Sequence, residues 1–181
     1  MDKLIYELGV YLTDKQVHEL KIIINNLFNN DLTNIELTSS SGLSVVIINT
    51  KDEKYIHQYY ISNSIYEKVK NNIQLLNIIN IDGFVKVYDF NDELRLIKYQ
   101  RIVPIIDNQF DIFKLKNDVF KILLQMKKNN ISHGDLTLDN IGLDLKANTY
   151  LLYDFETMTF NTSQNNDLYT FLKSINFRLG A

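Results

Sequence analysis

Cysteine is absent from this 181-residue chain, which excludes disulfides, zinc fingers and thiol catalysis. Excess positive charge is absent too: 19 Lys and Arg face 22 Asp and Glu, for a net charge of -3 and a pI near 5.6. General affinity for nucleic acid or for an anionic membrane is therefore not expected. No apolar run approaches the roughly eighteen residues that span a bilayer, and nothing at the acidic N-terminus resembles a signal peptide. A soluble cytoplasmic protein without a membrane partner is the expectation. Proline occurs once, at Pro104, and with the abundant Asn and Ile it points to an AT-rich genome and not to any chemistry. What is present is 45% apolar residues, enough to bury the core of one domain or of a small two-lobed one.

Periodicity gives the order of elements. Residues 1–33 read as a helical N-terminal extension, in which Thr13 and Gln16 form a capping box and Val17, Leu20, Ile24 and Leu27 share one face. From Asn34 to Ile61 the pattern turns to strands, through Val45-Val46-Ile47-Ile48 and Tyr55 to Ile61. Ser64 to Ile79 reads as helix, and Phe84 to Phe90 with Leu94 to Ile102 reads as a hairpin turning at Asn91-Asp92, with Pro104 ending regular pairing. Asn117 or Asp118 is the expected cap of a helix whose stripe is Val119, Phe120, Leu123 and Met126. Leu143 to Leu145 and Tyr150 to Tyr153 form a second expected hairpin. The apolar stripes are core.

The chemistry is concentrated in His133-Gly134-Asp135-Leu136-Thr137-Leu138-Asp139-Asn140-Ile141, followed fourteen residues after Asn140 by Asp154-Phe155-Glu156. Phosphoryl transfer asks for a carboxylate to orient and deprotonate the attacking hydroxyl, and for an amide and a second carboxylate to hold magnesium on the nucleotide phosphates. Asp135, Asn140 and Asp154 are such a set. Taken alone, Asp-x-x-x-x-Asn on a loop is usually a turn with Asx hydrogen bonds. The helix before it, the hairpin carrying Asp154 and the Asp167-Leu168-Tyr169 after it are what lift the pattern above that reading.

These residues resemble the protein-kinase-like superfamily. HGDLTLDNI looks like its catalytic loop, and YDFE looks like its Asp-Phe-Gly metal element with Gly replaced. Gly134 in place of the Arg of ordinary protein kinases, and Thr137 in place of their Lys, bring the loop closer to the kinase of the KEOPS tRNA-modification complex. RIO kinases and the aminoglycoside and choline phosphotransferases come next. Asn166-Asp167-Leu168-Tyr169 resembles the start of the helix that follows the metal loop in the KEOPS kinase.

The resemblance implies an α+β, two-lobed, minimal kinase-like fold in a single domain over 1–181. Its small β-rich N-lobe spans 34–103 and its helical C-lobe 104–181, the latter truncated just after the helix that follows the metal loop. It implies ATP and Mg2+ as cofactors, with Asp135 as catalytic base and Asn140 and Asp154 as metal ligands. Thr137 stands near the transferred phosphate, Glu156 is a candidate third acidic ligand, and His133 and Asp167 are structural supports of the loop. For nucleotide binding the candidates are Ser41 and Gly42 in the phosphate loop, and Lys54 or Gln58 at the position of the anchoring Lys. Glu67 is the candidate helix Glu, although spacing favours Asn71 or Asn72, and Tyr99, Arg101 and Ile102 are candidates in the hinge.

The departures lie in the N-lobe: one Gly in the phosphate loop, and Gln58 where a Lys is expected. Serine amides still meet phosphate, but without the close approach that glycines permit. Only twelve residues separate Asp154 from Asp167, too few for a standard activation segment and peptide platform. Two functions follow: an atypical phosphotransferase, acting on a Ser/Thr hydroxyl of a protein or on a small molecule or working as a partner-linked ATPase, and a pseudokinase that binds a partner without turnover. The intact Asp135, Asn140 and Asp154 favour catalysis.

Overall fold

The computed structural model describes residues 5, 12–28, 35–39, 45–50, 54–105, 110–163 and 165–178. Contacts divide the chain into two compact units, Met1–Lys68 with Lys86–Arg101, and Val69–Val85 with Ile102–Ala181.

The first unit holds helix α1 (Asp14–Phe28) and strands β1 (Ile35–Ser39), β2 (Val45–Thr50), β3 (Tyr55–Tyr60), β4 (Val87–Asn91) and β5 (Leu96–Gln100). All pairings are antiparallel, in the order β1-β2-β3-β5-β4. Side chains alternate across a strand, so Val46 and Ile48 of β2, Tyr59 of β3 and Leu96 of β5 share one face. They bury against Leu20, Ile23 and Ile24 of α1. The apolar spacing along α1 supplies the matching stripe, and the expected capping box is formed: Thr13 N donates to Gln16 Oε1 at 2.7 Å and Gln16 N to Thr13 Oγ1 at 3.4 Å. Glu19 secures the same contact by accepting from the Tyr59 hydroxyl at 2.6 Å and pairing with Arg95.

Helix α2 (Asn63–Ile79) starts in the first unit and continues from Val69 in the second. The expected hairpin after it is shorter than the sequence suggested. Its strands are β4 and β5, and Phe84 bridges Leu152 in parallel instead of extending β4.

The second unit adds β6 (Val103–Pro104), α3 (Ile112–Lys128), β7 (Ile141–Asp144), β8 (Thr149–Leu152) and α4 (Asp167–Arg178). Strands β6, β7 and β8 form a three-stranded antiparallel sheet. Helix α3 corrects two expectations. Its cap is Asp111, whose carboxylate accepts from Phe113 N and Lys114 N at 2.9 and 3.0 Å, and not Asn117 or Asp118. Asp118 lies inside the helix, held by Lys114 Nζ one turn earlier at 2.6 Å and by Tyr150 N at 3.2 Å. An Asp before an apolar stripe reads as a cap, but these partners make it an interior residue. Val119, Leu123 and Met126 are buried as expected, with Leu115 and Ile122, whereas Phe120 is 38% exposed at the margin of the stripe and meets Phe171 edge to face.

Candidate active site

The catalytic-loop candidates leave α3 at a left-handed Asn130 and run to a single 3-10 turn, Leu138–Asn140, that leads into β7. That turn folds Asn140 back onto Asp135. Asn140 Nδ2 donates to the Asp135 backbone oxygen at 2.7 Å and to its Oδ2 at 3.1 Å, while Asn140 N donates to Thr137 O at 3.1 Å. With the amide nitrogen committed to Asp135, Oδ1 is the atom of Asn140 available to a cation. Thr137, half-buried, stands between them at the N-cap of the turn, without a side-chain capping bond.

Asp167 supports the start of the loop from below. It is 2% exposed and accepts from His133 N at 2.8 Å, Gly134 N at 2.9 Å and Ser132 Oγ at 3.2 Å. A buried carboxylate without a cation partner is stable only with such donors. Asn165 Oδ1 in turn accepts from Asp167 N at 3.0 Å, which fixes where α4 begins. Gly134 has φ +85, and a Cβ there would meet Thr157 O at 2.5 Å, so glycine is required both by conformation and by close approach.

Asp154 follows β8 and is tied to the candidate catalytic loop through its neighbour. Tyr153 N donates to Asn140 O at 3.0 Å, and His133 Nε2 donates to Tyr153 O at 2.9 Å. His133 thus bridges the two loops. Asp154 itself is exposed and left-handed, with φ +66. On its far side Phe155 is buried against Phe84, and Thr157 Oγ1 donates to His133 O at 2.7 Å. Glu156 is half-buried, and its N–H reaches Asp154 Oδ1 at 3.4 Å. Asp135, Asn140 and Asp154 supply hard oxygen donors of the kind magnesium takes; the bonds that orient Asn140 go through its Nδ2, and the Glu156 N–H engages only Oδ1 of Asp154.

The remaining candidates belong mostly to the first unit. Gln58 lies inside β3, and its Oε1 accepts from the Tyr60 hydroxyl at 2.9 Å. Tyr99 is buried, its hydroxyl 2.7 Å from that of Tyr60. Lys54 precedes β3, is exposed, and accepts at its backbone oxygen from Arg101 N at 3.0 Å. Glu67 is exposed on α2. Ile102, in the second unit, packs where a Gly142 Cβ would come within 2.5 Å of its Cδ1. Ser41 and Gly42 lie outside the described residues.

Two residues of the site had little or no voice in the sequence. Thr157 carries no motif. Asn72 entered only as a spacing match, yet it is 7% exposed, and its Nδ2 reaches Phe155 O at 2.8 Å and Met158 O at 3.5 Å. The signal available was a polar residue inside the stripe Val69, Asn72, Ile73, Leu76.

No protein-family model matches the sequence. Over 138 residues, 66% of this chain, it is 30% identical to a protein of Acanthamoeba polyphaga mimivirus named "Putative serine/threonine-protein kinase R436", of which the match covers 46%. The chain thus spans about half the length of that curated relative. Among solved structures, WbdD, described as a bifunctional kinase-methyltransferase, aligns with a TM-score of 0.56 at 15% identity, over 75% of this chain and 35% of WbdD. Choline kinase LicA from Streptococcus pneumoniae aligns with a TM-score of 0.53 at 16% identity, over 87% of this chain and 75% of LicA. With the element order β1-β2-β3-α2-β4-β5 followed by α3, the Leu138–Asn140 turn and the β7-β8 hairpin, these likenesses identify the chain as having the protein-kinase-like fold.

Proposed function

We propose that this chain is an ATP- and Mg2+-dependent phosphotransferase of small atypical kinase type, acting on a Ser/Thr hydroxyl of a protein, with service to a partner as an ATPase within the same chemistry. The observation that carries the reading is the hydrogen-bonded set Asp135–Asn140, joined through Tyr153 to Asp154. Asp135 Oδ2, held by Asn140 Nδ2, orients the acceptor hydroxyl and takes its proton as the oxygen forms its bond to the γ-phosphorus and the bond from that phosphorus to the bridging oxygen of ADP breaks. The transition state is loose, so this carboxylate needs position more than basicity. Asn140 Oδ1 and the Asp154 carboxylate are the magnesium ligands, with Glu156 beside them. When bound, magnesium supplies charge neutralisation of the phosphates. Thr137 donates to the transferred group. Ser41, Gly42, Lys54, Gln58, Glu67, Tyr99, Arg101 and Ile102 are the nucleotide-binding residues of this reading, and a protein substrate or partner, with no membrane component, belongs to it.

A second reading has one specific support: β3 reads Tyr-Ile-His-Gln-Tyr-Tyr, without a lysine, and Gln58 is engaged by Tyr60. On that reading the chain is a pseudokinase that binds nucleotide or a partner protein without turnover.

Thermal unfolding with ATP and Mg2+ tests the first reading, because a ligand of the native state raises its stability by mass action. A shift that needs ATP, magnesium and an intact Asp154 supports it. No shift, or the same shift in Asp154→Asn, sinks it.

A further inference from the structure

Asn72 lies in an apolar stripe of α2, between Val69 at 1% exposure and Leu76 at 5%, and is itself 7% exposed. An amide buried among apolar side chains is costly unless its polar atoms are bonded. Its partners identify the task. Nδ2 donates to Phe155 O at 2.8 Å and to Met158 O at 3.5 Å, the two ends of the tight turn that follows Asp154. Both acceptors are carbonyls, so only the NH2 end of the amide fits there.

The residue in front of that turn is strained. Asp154 has φ +66, a conformation that a non-glycine residue keeps only where its surroundings over-determine it. Two flanking carbonyls are held: Tyr153 O by His133 Nε2 at 2.9 Å and Phe155 O by Asn72. The first clamp comes from the catalytic loop and the second from helix α2. Phe155 itself is buried, its ring 5.9 Å from that of Phe84 and tilted 33° to it.

We propose that Asn72 is a positioning residue, the clasp that holds the Asp154 carboxylate in its metal-ready conformation before any ligand arrives. The inference rests on the phosphotransferase reading for its metal, but the clasp itself is a property of the free protein. Helix α2 is thereby coupled to the metal loop through an uncharged side chain.

The test uses Asn72→Leu, which removes both donors while keeping the branching at Cγ, and Asn72→Asp, which keeps the shape and turns an oxygen toward the two carbonyls. Hydrogen–deuterium exchange of residues 153–158 in the ligand-free protein is read beside the Mg2+ midpoint for ATP-dependent thermal stabilisation. Loss of the 2.8 Å bond to Phe155 O and of the longer one to Met158 O predicts exchange faster by about 10-fold or more in both variants. Loss of an outer support of a metal ligand predicts an Mg2+ midpoint raised by roughly 10-fold, with stabilisation at saturating magnesium close to that of the parent. An unchanged midpoint in both variants overturns the positioning role, whatever the exchange does, because a merely structural Asn would leave it there. If the parent shows no magnesium-dependent stabilisation, the phosphotransferase reading falls by itself. The exchange arm then judges the clasp: faster exchange upholds it and unchanged exchange overturns it.

Discussion

Asn140 Nδ2 lies 2.7 Å from the backbone oxygen of Asp135 and 3.1 Å from its Oδ2, so one amide fixes both the path of the 135–140 loop and the aim of its carboxylate. The two residues act as a unit. Removing either leaves the other misplaced, and their effects on rate are expected to be strongly non-additive.

Asp135→Asn keeps the shape of the side chain but cannot accept a proton. On the proposed phosphotransferase reading, transfer is expected to fall by about 10²–10⁴-fold, the range for loss of a general base, with MgATP binding unchanged. Single-turnover kinetics beside nucleotide titration separates the two. Retained transfer would remove Asp135 from the mechanism.

Gly134→Ala puts a Cβ at 2.5 Å from Thr157 O, on a residue with φ +85. Backbone oxygen cannot yield as a side chain can, and the left-handed conformation adds its own strain. A loss of about 1–3 kcal/mol in urea unfolding is expected, with the loop bonds from Asp167 weakened first. Stability equal to that of the parent would show that the two loops separate freely.

Asp167→Ala strips His133 N, Gly134 N and Ser132 Oγ of their common acceptor in a buried place. Each unsatisfied buried group costs about 1–3 kcal/mol, so this variant is expected to be among the most destabilised in the chain. Asp167→Asn, which keeps one acceptor oxygen, loses less. The order of the two midpoints in denaturant is the check, and the reverse order would contradict the role.

His57 is 5% exposed, meets Phe28 edge to face, and has its pKa lowered to about 4, first by burial and then by the Lys98 ammonium, against a smaller opposing effect of Asp89. The unfolded chain, with His near its ordinary 6.5, binds more protons than the native state between these values. Stability contributed by the neutral imidazole is therefore complete above about pH 6.5 and is lost progressively as pH falls toward 4. His57→Gln is expected to flatten that part of the stability profile. An identical slope in the variant would place the acid sensitivity elsewhere.

Much of the fold was legible because local rules and tertiary burial agree. The capping box at Thr13, the strand alternation of Val45 to Ile48 and the stripe of α3 each state a periodicity that the core then uses. Where a residue satisfies two rules, the reading failed. Asp118 looks like a cap but is an interior acceptor for Lys114 and Tyr150, and Phe84 looks like strand but pairs with Leu152. Of the candidate site, Asp135 and Asn140 were legible because their partners lie five residues apart on one loop. Asn72 was marked only by its polarity, since its partners lie more than eighty residues away.

The sequence by itself determined the element order and the chemical groups gathered on the candidate loop 133–141, because helix caps, strand alternation and short-range turns depend on neighbours a few residues apart. Only the tertiary structure decided that His133 reaches Tyr153, that Asp167 underpins Gly134, and that Asn72 holds Phe155. Each of those bonds joins a side chain to a backbone carbonyl or amide far along the chain, a group that nearly every residue carries, and no side-chain pattern can say which of them a fold will bring within 3 Å.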